Sequence, residues 1–102
     1  EVERALTDRT ILVTVMLANN EVGTIQPIAD VAQVVRGRRG VLFHVDAVQA
    51  APWLDLDVNE LGADLVAVAA HKAEGPKGTG ALFSEQGFHG CMAVVDSCRY
   101  RY

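Results

Sequence analysis

Asp64-Leu65-Val66-Ala67-Val68-Ala69-Ala70-His71-Lys72 is the stretch on which the reading of this chain turns. Leu65 to Ala69 is apolar on both faces, as a strand covered from two sides would be, and the polar pair His71-Lys72 follows at once. The Gly75-Pro76-Lys77-Gly78 turn then leads into Thr79-Gly80-Ala81-Leu82-Phe83-Ser84, close enough for a hairpin. Two similar runs lie upstream. Ile11-Leu12-Val13-Thr14-Val15-Met16-Leu17 reads as a central strand and ends before the loop Asn19-Asn20-Glu21-Val22-Gly23-Thr24. Val41-Leu42-Phe43-His44-Val45 reads as a strand and ends at Asp46, with Gln49 three residues further on.

Helices are expected between these runs. From Pro27 to about Arg38, the positions Ile28, Val31, Ala32, Val34 and Val35 recur at helical spacing. Pro27 suits a first turn, and Arg36, Arg38 and Arg39 supply positive charge at the negative dipole end. Asp57-Val58-Asn59-Glu60-Leu61-Gly62 reads as a short helix ended by its glycine. Val2 to Leu6 reads as the last turns of another helix, broken at Thr7-Asp8-Arg9.

Strand, helix, strand, short helix, strand is an α/β pattern built on a mostly parallel sheet with helical cover. Right-handed crossovers set the first three strands side by side, with their C-terminal ends on one edge. Ligands of open α/β sheets bind at that edge. Asn20, Asp46, Gln49, His71 and Lys72 all fall there, immediately after apolar strands. Three strands apolar on both faces need cover on both, yet only one full helix is visible between them. The remaining cover is expected from further chain or a partner, since bare apolar faces associate.

Composition narrows the function. The chain has 102 residues, half of them apolar and 22% charged, as expected of one small globular domain. Nine Lys and Arg against 13 Asp and Glu give a formal net charge of −4, which argues against nucleic acid and anionic membrane as partners. The longest apolar run, Ile11 to Ala18, is too short to span a bilayer. Glu1-Val2-Glu3-Arg4 lacks signal-peptide character, so a cytoplasmic location is expected. Cys91 and Cys98 match no zinc spacing and read as incidental thiols. The abrupt ends, at Glu1 and at Arg99-Tyr100-Arg101-Tyr102, read as those of an excerpt from something longer.

A lysine and an aspartate at the ends of neighbouring buried strands suit pyridoxal phosphate, which needs an amine for its aldehyde and a carboxylate for its pyridine nitrogen. Lys72 is the candidate amine. It must be neutral to react, a state that partial burial favours, whereas a lone lysine is ordinarily a surface residue. Asp46 is the candidate partner of the ring nitrogen, and it equally suits the N-cap of Ala47-Val48-Gln49. Gln49 and Asn20 are candidate donors to the ring oxygen; the bland alternatives are a solvated helix residue and a turn residue. His71 is a candidate phosphate contact or a partly buried structural histidine. His44 alternates with Asp46 and is read as packing or orienting. Gly75 to Gly80 lacks the Gly-Lys-Ser/Thr ending of a phosphate loop and precedes a strand, so it is read as a tight reversal.

Three segments carry a resemblance. They are Thr14-Val-Met-Leu-Ala-Asn-Asn-Glu-Val-Gly-Thr-Ile-Gln-Pro-Ile28, Phe43-His-Val-Asp-Ala-Val-Gln-Ala50, and Ala70-His-Lys-Ala-Glu-Gly-Pro-Lys-Gly-Thr-Gly-Ala-Leu-Phe83. In this order they resemble cysteine desulfurases of the NifS/IscS type and the related selenocysteine lyases, which are class V aminotransferase-fold enzymes using pyridoxal 5'-phosphate. The resemblance covers roughly residues 5 to 84, and it implies part of the large, cofactor-binding domain of a fold type I enzyme. It implies that Lys72 holds the cofactor and that Asp46 binds the pyridine nitrogen. Asn20 and Gln49 would lie near the ring oxygen, and His71 by the phosphate. The implied reaction takes sulfur from L-cysteine (or selenium from selenocysteine). Lys72 moves the α-proton, a loop cysteine takes the sulfur as a persulfide, and alanine leaves. A homodimeric parent, a sulfur-acceptor protein and a place in iron–sulfur cluster assembly are implied with it.

Three departures stand out. Ala69 occupies the position where the family usually has a phosphate-binding serine. Cys91 and Cys98 come too early to be the family's catalytic cysteine. Residues 85–102 are unlike the family's continuation. The 102-residue chain alone is therefore expected to be inactive. Two rival readings are a metalloenzyme built on His44, Asp46 and His71, and an interaction fragment that keeps the fold without the activity.

Overall fold

In a computed structural model, which describes residues 1–85, the order of elements follows the pattern expected. A short helix α1 (Val2–Ala5) is followed by β1 (Leu12–Met16), α2 (Ile28–Arg36), β2 (Leu42–Asp46), α3 (Val58–Leu61), β3 (Leu65–Ala69) and β4 (Gly80–Ser84). The strands form one sheet in the order β1-β2-β3-β4. β1, β2 and β3 are parallel, with Leu12 opposite Leu42 and Asp46 opposite both Met16 and Ala67. β4 runs antiparallel to β3, with Ala69 opposite Gly80. The reversal before β4 is thus the hairpin connection that the glycines foretold.

The helices form where their apolar side chains can be buried. Ile28, Ala32 and Val35, four and three residues apart, are the buried positions of α2. They pack with Phe43, Val45 and Val66, all 3% exposed or less, on one face of the sheet. Arg36 stands in the last turn of α2, where a cation complements the dipole. The Asp57 side chain accepts the Asn59 backbone N–H at 2.8 Å and so starts α3. Gly62 ends it at φ 63°, and a Cβ there would stand 3.2 Å from Ala32 Cβ. Asp64 then stitches β3 to β2, its Oδ2 accepting the Phe43 N–H at 2.7 Å while its own N–H donates to the Phe43 carbonyl at 2.9 Å.

The expectation of a central first strand covered on both sides needs correcting. Among the described residues β1 is an edge strand, and all the helical cover lies on the face of Val13, Val15, Phe43, Val45 and Val66. On the opposite face Leu12, Met16, Leu42 and Leu82 are exposed, between 37% and 49%. Strand alternation puts His44 and Asp46 on this open face too. The apolar character of both faces was real, but periodicity cannot say which element covers a face. The tail from residue 86 onward, with Cys91 and Cys98, lies outside the described residues.

Candidate active site

The loops after β1, β2 and β3 leave the sheet at the same edge, as parallel register requires. Each carries one or more of the candidate residues. The first, residues 17–27, is tied by its backbone: Asn19 N–H donates to the Thr24 carbonyl at 2.9 Å, and Gln26 N–H to the Leu17 carbonyl at 2.8 Å. Asn19 Oδ1 accepts the N–H groups of Glu21 and Val22 at 2.8 and 3.2 Å. The turn-forming asparagine is therefore Asn19, a residue that sequence reasoning passed over. Asn20 is exposed and free of that duty.

The second loop starts at Asp46. Its Oδ1 accepts the Val48 N–H at 3.0 Å, so the carboxylate caps the segment from Ala47 to Leu54. That segment is a pair of successive turns, where the capping alternative for Asp46 supposed a helix: Ala50 and Ala51 both donate to the Ala47 carbonyl, and Trp53 and Leu54 both donate to the Ala50 carbonyl, all at 2.9–3.0 Å. Ala47 and Ala50 are buried, which pins the loop to the core. Asp46 and Gln49 are both half-buried.

The third loop holds Lys72. A single 3-10 turn, Ala70–Lys72, follows β3 directly. Ala70 N–H donates to the Thr79 carbonyl at 2.9 Å and closes the loop at its base. The Ala70 carbonyl in turn accepts the Gly75 N–H at 2.8 Å, an approach so close that a Cβ on Gly75 would stand 2.8 Å from Ala70 Cβ. Glu74 sits at φ 60° and Gly78 at φ 84°, two left-handed residues that fold the loop back. His71 and Lys72 are exposed, so the partial burial expected of Lys72 is absent among the described residues, as is the partly buried alternative for His71.

Asn20 and Gln49 come together in a cleft of about 270 Å³ between the first two loops. Its walls are otherwise mainly apolar, with Ile25, Leu54 and Trp53 among them. Trp53, another residue that sequence reasoning passed over, is 84% exposed. A lone tryptophan next to a proline was its only signal. Asp46, His71 and Lys72 stand outside the cleft lining. Asp46 lies on the open face of the sheet, and strand alternation puts Ala67 and Ala69 on that face as well.

His44 meets Thr14 across the β1–β2 pair, its Nδ1 lying 2.6 Å from Thr14 Oγ1. Among the described residues no three His, Cys, Asp or Glu side chains converge as a metal centre needs, so His44, Asp46 and His71 do not form a ligand set.

Comparison with known proteins bears on this geometry. The family model described as Aminotransferase class-V matches residues 1–95. The chain belongs to this family. Among class-V relatives it is 47% identical over 87 residues to a cysteine desulfurase IscS of Clostridium botulinum, covering 85% of this chain and 22% of the relative. It is 55% identical over 82 residues to a cysteine desulfurase IscS of Pseudomonas entomophila, covering 80% and 20%. The chain thus spans about a fifth of the length of these curated relatives. Among solved structures, a NifS-like protein superposes with a TM-score of 0.78 at 41% identity, covering 85% of this chain and 24% of that one. A structure described as SspA in complex with cysteine gives 0.75 at 42% identity, covering 81% and 24%. The mostly parallel sheet is therefore the class-V fold. Among the described residues, no helix is long and apolar enough to cross a membrane.

Proposed function

We propose that this chain is the cofactor-anchoring segment of a pyridoxal-phosphate-dependent cysteine desulfurase, with residues 1–84 forming part of its large domain. One observation carries the reading: three consecutive parallel-strand loops deliver Asn20, then Asp46 and Gln49, then His71 and Lys72 to one sheet edge. The relatives named above are cysteine desulfurases, which favours cysteine over selenocysteine as substrate.

The donor set fits the group. Bound there, pyridoxal phosphate supplies an aldehyde for an amine and a ring that stores an electron pair. Lys72 Nζ, exposed on a loop closed at Ala70 and Thr79, is the amine that attaches it and later moves the substrate α-proton. Asp46 commits Oδ1 to the Val48 N–H, which fixes the carboxylate and leaves Oδ2 to hold a proton on the ring nitrogen. Asn20 and Gln49, joined in one cleft, donate to the ring oxygen. His71, next to the lysine, would contact the phosphate. Ala69 offers no hydroxyl there, so backbone groups and His71 carry that contact. Because the chain spans only a fifth of its relatives, the sulfur-accepting cysteine, a sulfur-acceptor protein and a dimeric partner are proposed for the full-length protein.

The test is chemical. Full-length protein carrying this sequence is incubated with pyridoxal phosphate, reduced with borohydride and digested. A reduced adduct on Lys72, absent in Lys72→Ala, together with alanine release from cysteine, is the expected result. No adduct at Lys72 sinks the assignment.

A further inference from the structure

Thr14 and His44 stand opposite each other in the β1–β2 ladder with Oγ1 and Nδ1 2.6 Å apart, and the cofactor reading gives this pair no role. We infer that Thr14 is a positioning residue for Asp46: its hydroxyl ties the His44 imidazole to β1 and so keeps it from Oδ2, the carboxylate oxygen left for the cofactor. This rests on the cofactor reading above and adds a residue behind it.

Three observations lead there. The first is placement. His44 and Asp46 are alternate residues of β2, so their side chains leave the same face of the sheet, about 6.6 Å apart at their bases. An imidazole and a carboxylate can close that gap with a hydrogen bond. The second is the shortage of other partners. Among the described residues, Leu42, Leu65, Met16 and Ala67 are the remaining neighbours of His44 on that face, and all are apolar. Thr14 and Asp46 are therefore the two polar side chains that His44 can choose between. The third is direction. Asp46 turns Oδ1 onward along the chain to the Val48 N–H at 3.0 Å, whereas His44 is drawn sideways to Thr14. Threonine is stiff at χ1, so it holds this tether at small entropic cost. Released from it, the imidazole has Oδ2 as its alternative, and hydrogen bonds to a carboxylate are among the stronger ones. The ring nitrogen would then have to displace a competitor from Asp46.

The experiment titrates the full-length protein with pyridoxal phosphate, followed by absorbance, in a double-mutant cycle. Thr14→Val keeps the shape and loses the hydroxyl, and affinity is expected to fall about 10-fold. Thr14→Ala is expected to behave in the same way, and Thr14→Ser to stay close to the parent. His44→Leu is expected to match the parent. Adding His44→Leu to Thr14→Val is expected to restore the lost affinity, because the competitor is gone; a merely structural threonine gives no such recovery. Borohydride reduction of the parent, with the adduct mapped, is run beside the titrations. An adduct at Lys72 with affinity unchanged in both Thr14→Val and Thr14→Ala, or unrecovered in the double variant, overturns this inference and leaves the cofactor reading standing. No adduct at Lys72 in the parent overturns both.

Discussion

Asp46 Oδ1 accepts the backbone N–H of Val48 at 3.0 Å, so the proposed partner of the pyridine nitrogen is also the cap of the loop that carries Gln49. The two duties separate by substitution. Asp46→Asn keeps an acceptor for Val48 but loses the charge; stability is expected within about 0.5 kcal/mol of the parent, while turnover falls about a hundredfold or more. Asp46→Ala loses both, with about 1 kcal/mol of additional destabilisation. Paired thermal melts and alanine-release rates read the two effects. Equal stability loss in both variants would refute the capping role.

Asn19 and Asn20 are adjacent and are expected to behave differently. Asn19→Ala removes the acceptor for two loop N–H groups and is expected to destabilise by about 1 kcal/mol. Asn20→Ala is expected to leave the melting temperature unchanged and to weaken pyridoxal phosphate binding. Reversed outcomes would exchange the roles given to the two side chains.

Gly75 makes room for Ala70 at the start of the turn that carries Lys72. A methyl group there meets Ala70 Cβ at 2.8 Å and the Ala70 carbonyl oxygen at 2.9 Å, and backbone cannot yield as a flexible side chain would. Gly75→Ala is expected to shift the 70–79 loop and cut the yield of the Lys72 adduct with Phe43 and its neighbours undisturbed. Adduct mapping beside amide exchange of β2 checks both halves.

Ala69 ends β3 on the same face as Asp46. Ala69→Ser sets a hydroxyl beside His71 and Lys72, where the phosphate is proposed to lie, and is expected to tighten pyridoxal phosphate binding about 5-fold, the scale of one net hydrogen bond. Equilibrium titration of parent and variant decides; unchanged affinity would move the phosphate elsewhere.

Phe43 is 2% exposed at the centre of the core. Phe43→Ala is expected to cost about 3–5 kcal/mol in the full-length protein. Denaturant unfolding measures it, and a loss under about 1 kcal/mol would mean that the packing under β2 is not what holds the sheet.

Where local rules act alone, the chain was readable in advance. Ile28, Ala32 and Val35 announced α2 by spacing, Asp57 and Gly62 bracketed α3, and the glycines after Lys72 announced the hairpin. What escaped depended on neighbours distant in sequence. Val-rich strands look alike at a sheet's edge and at its centre, so the edge position of β1 among the described residues was not legible, although the shortage of helical cover was. Asn19 and Asn20 are one residue type in one loop, and only the backbone decides which is spent on the turn.

The ladder between β2 and β3 has a consequence for motion. Three register pairs join these strands, from His44–Leu65 to Asp46–Ala67, whereas five join β1 to β2 and five join β3 to β4. Lys72 rides on the β3–β4 hairpin, and Asp46 rides on the β1–β2 pair. The reach from amine to carboxylate is therefore set across the sheet's shortest seam. Shear along that seam breaks the Asp46–Ala67 pairing and the bond from Ala47 N–H to the Ala67 carbonyl at 2.9 Å, so the reach is held by the same ladder that would have to yield.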